Sequence, residues 1–185
     1  LPQTVPTDPA VEIDALSTPA FEVGGDYYDF MQLDEERIGI VVGDVSGKGV
    51  PAAFYMSEVK GIFLSLAEMF DSPREFLIRA NQVLSTSIDK HSFVSLIYAI
   101  LNVRTGKVVV ARAGHCPMLL LAGEATRTIR PDGLGLGLTN GPMFAEVTEE
   151  FELALTPGDV FLLYTDGVTE ARAGTEEYGS DRLEE

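Results

Sequence analysis

Cysteine, histidine and positive charge are all scarce in this 185-residue sequence, and each scarcity narrows what the chain can do. Cys116 is the only cysteine, so no intrachain disulfide can form, and the expected compartment is a reducing one, the cytoplasm. Of the two histidines, His91 has no partner at zinc-site spacing and reads as an exposed side chain. Thirteen Lys and Arg face 29 Asp and Glu, a formal net charge of −16, which repels a phosphate backbone and argues against nucleic acid as a partner. No run approaches the roughly 20 apolar residues that a membrane helix needs, and no charged start precedes an apolar segment as in a signal peptide. Membrane insertion is therefore not expected, and no internal repeat or low-complexity segment is visible.

Two phosphate-handling signatures are also missing. Ser46-Gly47-Lys48-Gly49 lacks the rest of a P-loop, since Val42 stands where Gly is needed and Gly49 where Ser or Thr is needed. His115-Cys116 lacks the arginine that a cysteine phosphatase carries six residues after its nucleophile, because Ala122 is there. Cys116 thus reads as a small buried side chain.

What is present is enough apolar material, 45% of residues, for one sizeable core. Residues 1–10, with three prolines, read as an extended lead-in. Strand-like patterns follow at Val11–Ser17, at Phe21–Phe30 and at Arg37–Val42, the last running into Gly43-Asp44. After Pro51, apolar residues at Met56, Val59, Phe63, Leu66 and Phe70 recur every three or four positions, the rhythm of one buried helix face. Ser72-Pro73-Arg74-Glu75 has capping-box order ahead of a second helical pattern from Phe76 to Ile88. From Val94 the pattern turns to β, with strands expected at Val94–Val103, Lys107–Ala113, Met118–Leu121, Thr126–Arg130, Phe144–Leu155 and Val160–Tyr164, and a loop over 131–142. Strands, then two helices, then many strands point to an α+β fold with largely antiparallel sheet. The acidic end from Glu170 to Glu185 reads as a solvated tail.

Three aspartates share a local design in which an apolar or glycine-rich stretch delivers the acid beside a turn: Gly24-Gly25-Asp26, Val42-Gly43-Asp44 and Tyr164-Thr165-Asp166-Gly167. Carboxylates on strand ends are rigidly supported, and neighbouring glycines let carbonyls approach, which suits oxygen ligation of Mg²⁺ or Mn²⁺. Taken singly, each reads first as the cap of its own turn, which is what aspartate beside glycine usually does.

The strings around them decide between these readings. Phe21 to Phe30 (FEVGGDYYDF), Gly43 to Ala53 (GDVSGKGVPAA), Ala113 to Pro117 (AGHCP) and Tyr164 to Ala171 (YTDGVTEA) resemble, in order and spacing, the PPM family of metal-dependent serine/threonine protein phosphatases. The resemblance is to its bacterial branch, typified by stage II sporulation protein E and the RsbU regulators, and it spans nearly the whole chain. It implies an α/β/β/α sandwich of two mainly antiparallel sheets flanked by helices, with two divalent cations, Mn²⁺ or Mg²⁺, at one sheet edge. The implied activity is hydrolysis of phosphoserine or phosphothreonine in a phosphoprotein by a metal-bound water, without a phosphoenzyme.

Carried over by position, Asp44 would bridge both metals, the main-chain carbonyl of Val45 would complete one of them, Asp166 would bind the second, and Asp26 would bind directly or through water. Asp29 would orient ligands or waters. His115 is read first as joining strand to turn, with a proton donor to the leaving alkoxide as the alternative; Lys48 is left open between substrate phosphate and solvent. No arginine precedes Asp26 to match the phosphate-gripping arginine of the family's eukaryotic members.

The branch implies a role in bacterial stress signalling and sigma factor regulation. Its implied substrate is a phosphorylated anti-sigma-factor antagonist of STAS type, with control by an upstream sensor or response-regulator domain through the two helices after Asp44; a homodimer is left open. Residues 1–185 are expected to be one catalytic domain excised from a longer regulatory protein and lacking its C-terminal end, because the family's Asp-Asp pair with a further ligand does not occur before Glu185. Asp181 takes the place of an ordinary surface acid. The competing reading is a catalytically degenerate module that binds phosphoproteins without turnover.

Overall fold

A computed structural model describes residues 1–2, 4–18, 24–47 and 49–184. Alternating apolar residues build a five-stranded antiparallel sheet from β1 (Tyr27–Gln32), β2 (Arg37–Val45), β3 (Val94–Asn102), β4 (Lys107–Ala113) and β7 (Glu150–Ala154), in the order β1-β2-β3-β4-β7. Between them in sequence, β5 (Met118–Ala122) and β6 (Ala125–Ile129) pair with β8 (Val160–Leu162) as a second antiparallel sheet in the order β6-β5-β8.

The period-2 pattern divides the large sheet into two apolar faces. Val41, Val45, Leu96, Tyr98 and Ile100 face one cluster with Val59, Phe63, Phe76, Leu77 and Leu84, which belong to helices α1 (Val50–Leu66) and α2 (Pro73–Leu84). Ile97, Ala99, Leu101, Val108 and Val110 face the other cluster with Met118, Leu120 and Ile129 of the small sheet. Helices, large sheet and small sheet are thus stacked layers of the expected α+β sandwich. The rings of Phe63, Phe76 and Tyr98 tie α1, α2 and β3 together at centroid distances of 4.2–6.3 Å. The capping box forms as its order predicts, with Ser72 Oγ accepting from the Glu75 amide at 3.2 Å and Pro73 opening the helix.

Three expectations change. Val11–Ser17 is not a strand: Val11 makes one bridge to Asp8, whose carboxylate instead accepts from the Ala10 amide, so the alternating polar residues have no strand to pair with. Phe144–Leu155 begins as helix α3 (Met143–Val147) before β7, because Arg74 of α2 donates to the carbonyls of Ala145 and Thr148 and satisfies the last turn of that helix. The acidic end is not featureless: α4 (Asp166–Thr169), β9 (Arg172–Ala173), β10 (Glu176–Glu177) and α5 (Ser180–Glu184) follow β8. Phe21, Glu22 and Val23 lie outside the described residues; of the rest of that pattern, Gly24, Gly25 and Asp26 are not strand and β1 begins at Tyr27. Among the described residues no helix is long and apolar enough to cross a membrane.

Candidate metal centre

Asp44 is the penultimate residue of β2, a strand flanked on both sides by β1 and β3, so its backbone is held along its whole length. It lies on the face turned toward the small sheet, opposite Ser95 of β3. Gly25 passes directly beside it, and its carbonyl accepts from the Val45 amide at 3.3 Å. A Cβ at position 25 would stand 2.7 Å from Asp44 Oδ1 and 2.7 Å from the Val45 carbonyl oxygen. Two oxygen donors therefore converge on a notch that only glycine leaves open, and its filling by a methyl group would be a clash.

Asp26 and Asp166 reach the same region from other elements. Asp26 Oδ2 and Thr165 Oγ1 each lie 3.6 Å from where a Cβ on Gly167 would be, so the carboxylate and the hydroxyl flank the turn that carries Asp166. Burial raises the Asp26 pKa first and the Asp166 charge adds to it, while the Thr165 hydrogen bond opposes both. Asp44 is pushed up to about 6, by burial foremost, then by Asp26, Asp166 and Glu170, against a lowering hydrogen bond from the Val45 amide. Each acid thus sits in the field of the others.

Among the described residues no three His, Cys, Asp or Glu side chains are gathered tightly enough to hold an ion among themselves. Like charges repel at close range, so the three aspartates share a region rather than a point. Their donor set, two or three carboxylates and a main-chain carbonyl, is all oxygen, which fits Mg²⁺ or Mn²⁺ rather than a metal that prefers nitrogen or sulfur. The notch at Gly25 is where such an ion would meet Asp44 and Val45 together.

Other expected site residues fall differently. Asp29 is not with the three aspartates. It is opposite Val41, on the helix-facing side of the sheet, where Tyr27 Oη donates to its Oδ2 at 3.0 Å and Lys60 Nζ of α1 lies 3.4 Å away. The strand period puts residue 29 on the face opposite Asp44, where it ties α1 to β1. His115 is 4% exposed, with Nδ1 2.7 Å from Ser95 Oγ. Burial foremost, with the Arg112 charge, lowers its pKa to about 4 against the raising influence of the Tyr164 main chain, and its contacts to Ser95 and Arg112 join β3 to the turn after β4. Lys48 lies outside the described residues. Cys116 is half-buried rather than fully buried, and burial with the Asp166 and Asp44 charges pushes its thiol up to about 11.

Ser95, Thr165 and Glu170 join this centre without having been singled out in the sequence. Ser95 became visible only through its register with Asp44; Thr165 and Glu170 flank Asp166 in its own motif and were readable there.

Known proteins resemble this chain over most of its length. Residues 34–185 match the family model described as Stage II sporulation protein E (SpoIIE). Phosphoserine phosphatase RsbU of Bacillus subtilis is 35% identical over 170 residues, covering 91% of this chain and 49% of that protein. Phosphoserine phosphatase RsbP of the same organism is 26% identical over 170 residues, with 88% and 41% covered. The chain therefore spans half the length or less of these relatives. Among solved structures, the RsbU and RsbW domains of a Mycobacterium tuberculosis protein align with a TM-score of 0.69 and 26% identity over 83% of this chain and 42% of that one. The PP2C phosphatase domain of SpoIIE from Bacillus subtilis aligns with a TM-score of 0.68 at 20% identity, over 79% and 42%, a likeness of fold.

Proposed function

The chain belongs to the stage II sporulation protein E (SpoIIE) family, and from that premise we propose that it hydrolyses phosphoserine or phosphothreonine in a protein substrate with Asp26, Asp44, Asp166 and the Val45 carbonyl holding two Mn²⁺ or Mg²⁺ ions. The observation that carries this reading is the notch at Gly25, where Asp44 Oδ1 and the Val45 oxygen converge. Divalent cations there would supply Lewis-acid activation and neutralise charge on the transferring phosphoryl group.

The chain's own groups prepare the site for this. Burial and mutual repulsion leave Asp44 half-protonated near pH 6, so a cation competes with one proton for its carboxylate. The Thr165 hydroxyl stands beside the Asp26 carboxylate at the Asp166 turn and favours its charged form against the burial that opposes it. No cysteine or serine nucleophile is needed, and Cys116, with its raised pKa, is ill suited to be one. The non-catalytic alternative has less support, since the relatives RsbU and RsbP are themselves named phosphoserine phosphatases.

By the same family reasoning, the substrate is a phosphorylated anti-sigma-factor antagonist, presented in the cytoplasm and under the control of a further regulatory domain. Mn²⁺-dependent release of phosphate from p-nitrophenyl phosphate and from such an antagonist tests the proposal. Unchanged turnover in Asp44→Ala protein would sink it.

A further inference from the structure

The centre is underpinned by a buried polar strut that the reaction itself does not use. Ser95 is directly across from Asp44, and its hydroxyl donates to the Asp44 main-chain oxygen at 3.3 Å. The same Oγ lies 2.7 Å from His115 Nδ1. A hydroxyl has one proton to give, so with it on the Asp44 carbonyl the imidazole must carry its hydrogen on Nδ1 and donate to Ser95. That leaves Nε2 as a bare acceptor, and Nε2 is indeed buried with no hydrogen-bond partner among the described residues.

His115 is in turn held from behind. Arg112, itself buried, donates from Nη1 to the His115 carbonyl at 2.7 Å and from Nε to the Pro131 carbonyl at 2.9 Å. Gly114 makes the turn into His115 at φ +66°, where a Cβ would stand 2.7 Å from the Gly135 amide nitrogen. Such a turn admits glycine and little else. The arrangement runs from Arg112 through His115 and Ser95 to the peptide between Asp44 and Val45, which lies between the two oxygens of the notch, the Asp44 carboxylate on one side and the Val45 carbonyl on the other.

A buried, unsatisfied ring nitrogen costs folding free energy, and an apolar side chain of similar volume would fold at least as well. The cost is explicable if the ring is kept for its effect on Ser95. We infer that Ser95 and His115 are positioning residues that fix the Asp44–Val45 peptide and so hold the Asp44 carboxylate and the Val45 carbonyl on either side of it toward one cation; this rests on the metal reading above. Neither touches substrate. Hydrogen-bond partners that orient metal ligands are typically worth 10–100-fold in metal affinity.

The test is calorimetric Mn²⁺ titration of the unaltered chain, Ser95→Ala and Ser95→Thr, beside urea unfolding without metal and steady-state turnover of p-nitrophenyl phosphate. The expected result is Mn²⁺ affinity about tenfold weaker in Ser95→Ala, kcat lowered with KM nearly unchanged, a urea midpoint lowered by the loss of the partner of His115 Nδ1, and recovery of both affinity and midpoint in Ser95→Thr, which keeps the hydroxyl. His115→Leu should lose affinity similarly while its urea midpoint holds or rises. Unchanged Mn²⁺ affinity in Ser95→Ala would overturn the inference, as would a loss of affinity that tracks a loss of stability and that Ser95→Thr does not restore. Absence of Mn²⁺ uptake by the unaltered protein would strike the metal reading instead and leave these two failures distinct.

Discussion

Asp44 and Asp166 are delivered to one centre by opposite means. Asp44 is half-buried on a strand paired on both sides, with its peptide tied to Gly25 and Ser95. Asp166 is exposed at the start of the four-residue helix α4, followed by two-residue strands whose side chains are all exposed. A few backbone bonds, such as the Tyr178 amide to Ala171 at 2.7 Å and the Gly179 amide to Thr169 at 2.9 Å, fold that segment back on itself. The contrast teaches that the site has a prebuilt half and a half with little buried apolar surface to hold it.

Four experiments sharpen or break that contrast, from the largest effect down. Asp44→Ala should reduce Mn²⁺-dependent turnover on the order of a thousandfold, and turnover within tenfold of the parent would remove Asp44 from the centre. Gly25→Ala comes next: its methyl must displace Asp44 Oδ1 or the Val45 oxygen, so Mn²⁺ affinity should fall about 10–100-fold and stability by about 1–3 kcal/mol; an unperturbed titration would mean that the notch is not the binding place.

The third concerns motion. Hydrogen exchange should run at least about tenfold faster at the Glu170 amide, which donates to the Asp166 carbonyl in α4, than at amides inside β2, and saturating Mn²⁺ should slow the former selectively. Equal protection of both without metal would abolish the distinction between the two halves.

The smallest effect is on pH dependence. Asp44 is pushed from 3.8 to about 6 in the folded chain, so the unfolded state holds fewer protons between those values. Its contribution to stability is present below about pH 4 and is lost as pH rises through about 6. Because the carboxylate is partly solvated, the loss is about 1 kcal/mol rather than the full value of the shift. Metal-free Asp44→Asn should thus be more stable than its parent at pH 7 by that amount and nearly equal at pH 4, measured by urea denaturation. A destabilised Asn variant at pH 7 would contradict the repulsion assigned to Asp44.

Much of this was legible from local chemistry. The capping box at Ser72, the buried stripe through Val59 and Phe63, and the alternation in β2 and β3 are written in short spacings, and each formed. Asp26, Asp44 and Asp166 were marked by glycine-flanked motifs, and the Asp166 charge raises the pKa of both Asp26 and Asp44. Misreadings arose where distant partners intervened. Phe144 continues an apolar pattern that suits a strand, but Arg74, 71 residues away in sequence from Ala145, caps a helix there. Asp29 follows Asp26 by one turn of motif, yet strand parity turns it to Lys60 on the opposite face.

The sequence by itself determined most of the elements and the class of the fold and marked three candidate acids, because periodicity, caps and glycine-flanked carboxylates act over a few residues. Tertiary structure alone decided which groups stand behind those acids. Ser95 meets Asp44 through the β2–β3 register, His115 meets Ser95 through the Gly114 turn, and Gly25 meets Val45 through a close pass of two segments. Such meetings depend on how separate segments pack, and a linear pattern of local preferences carries no term for them.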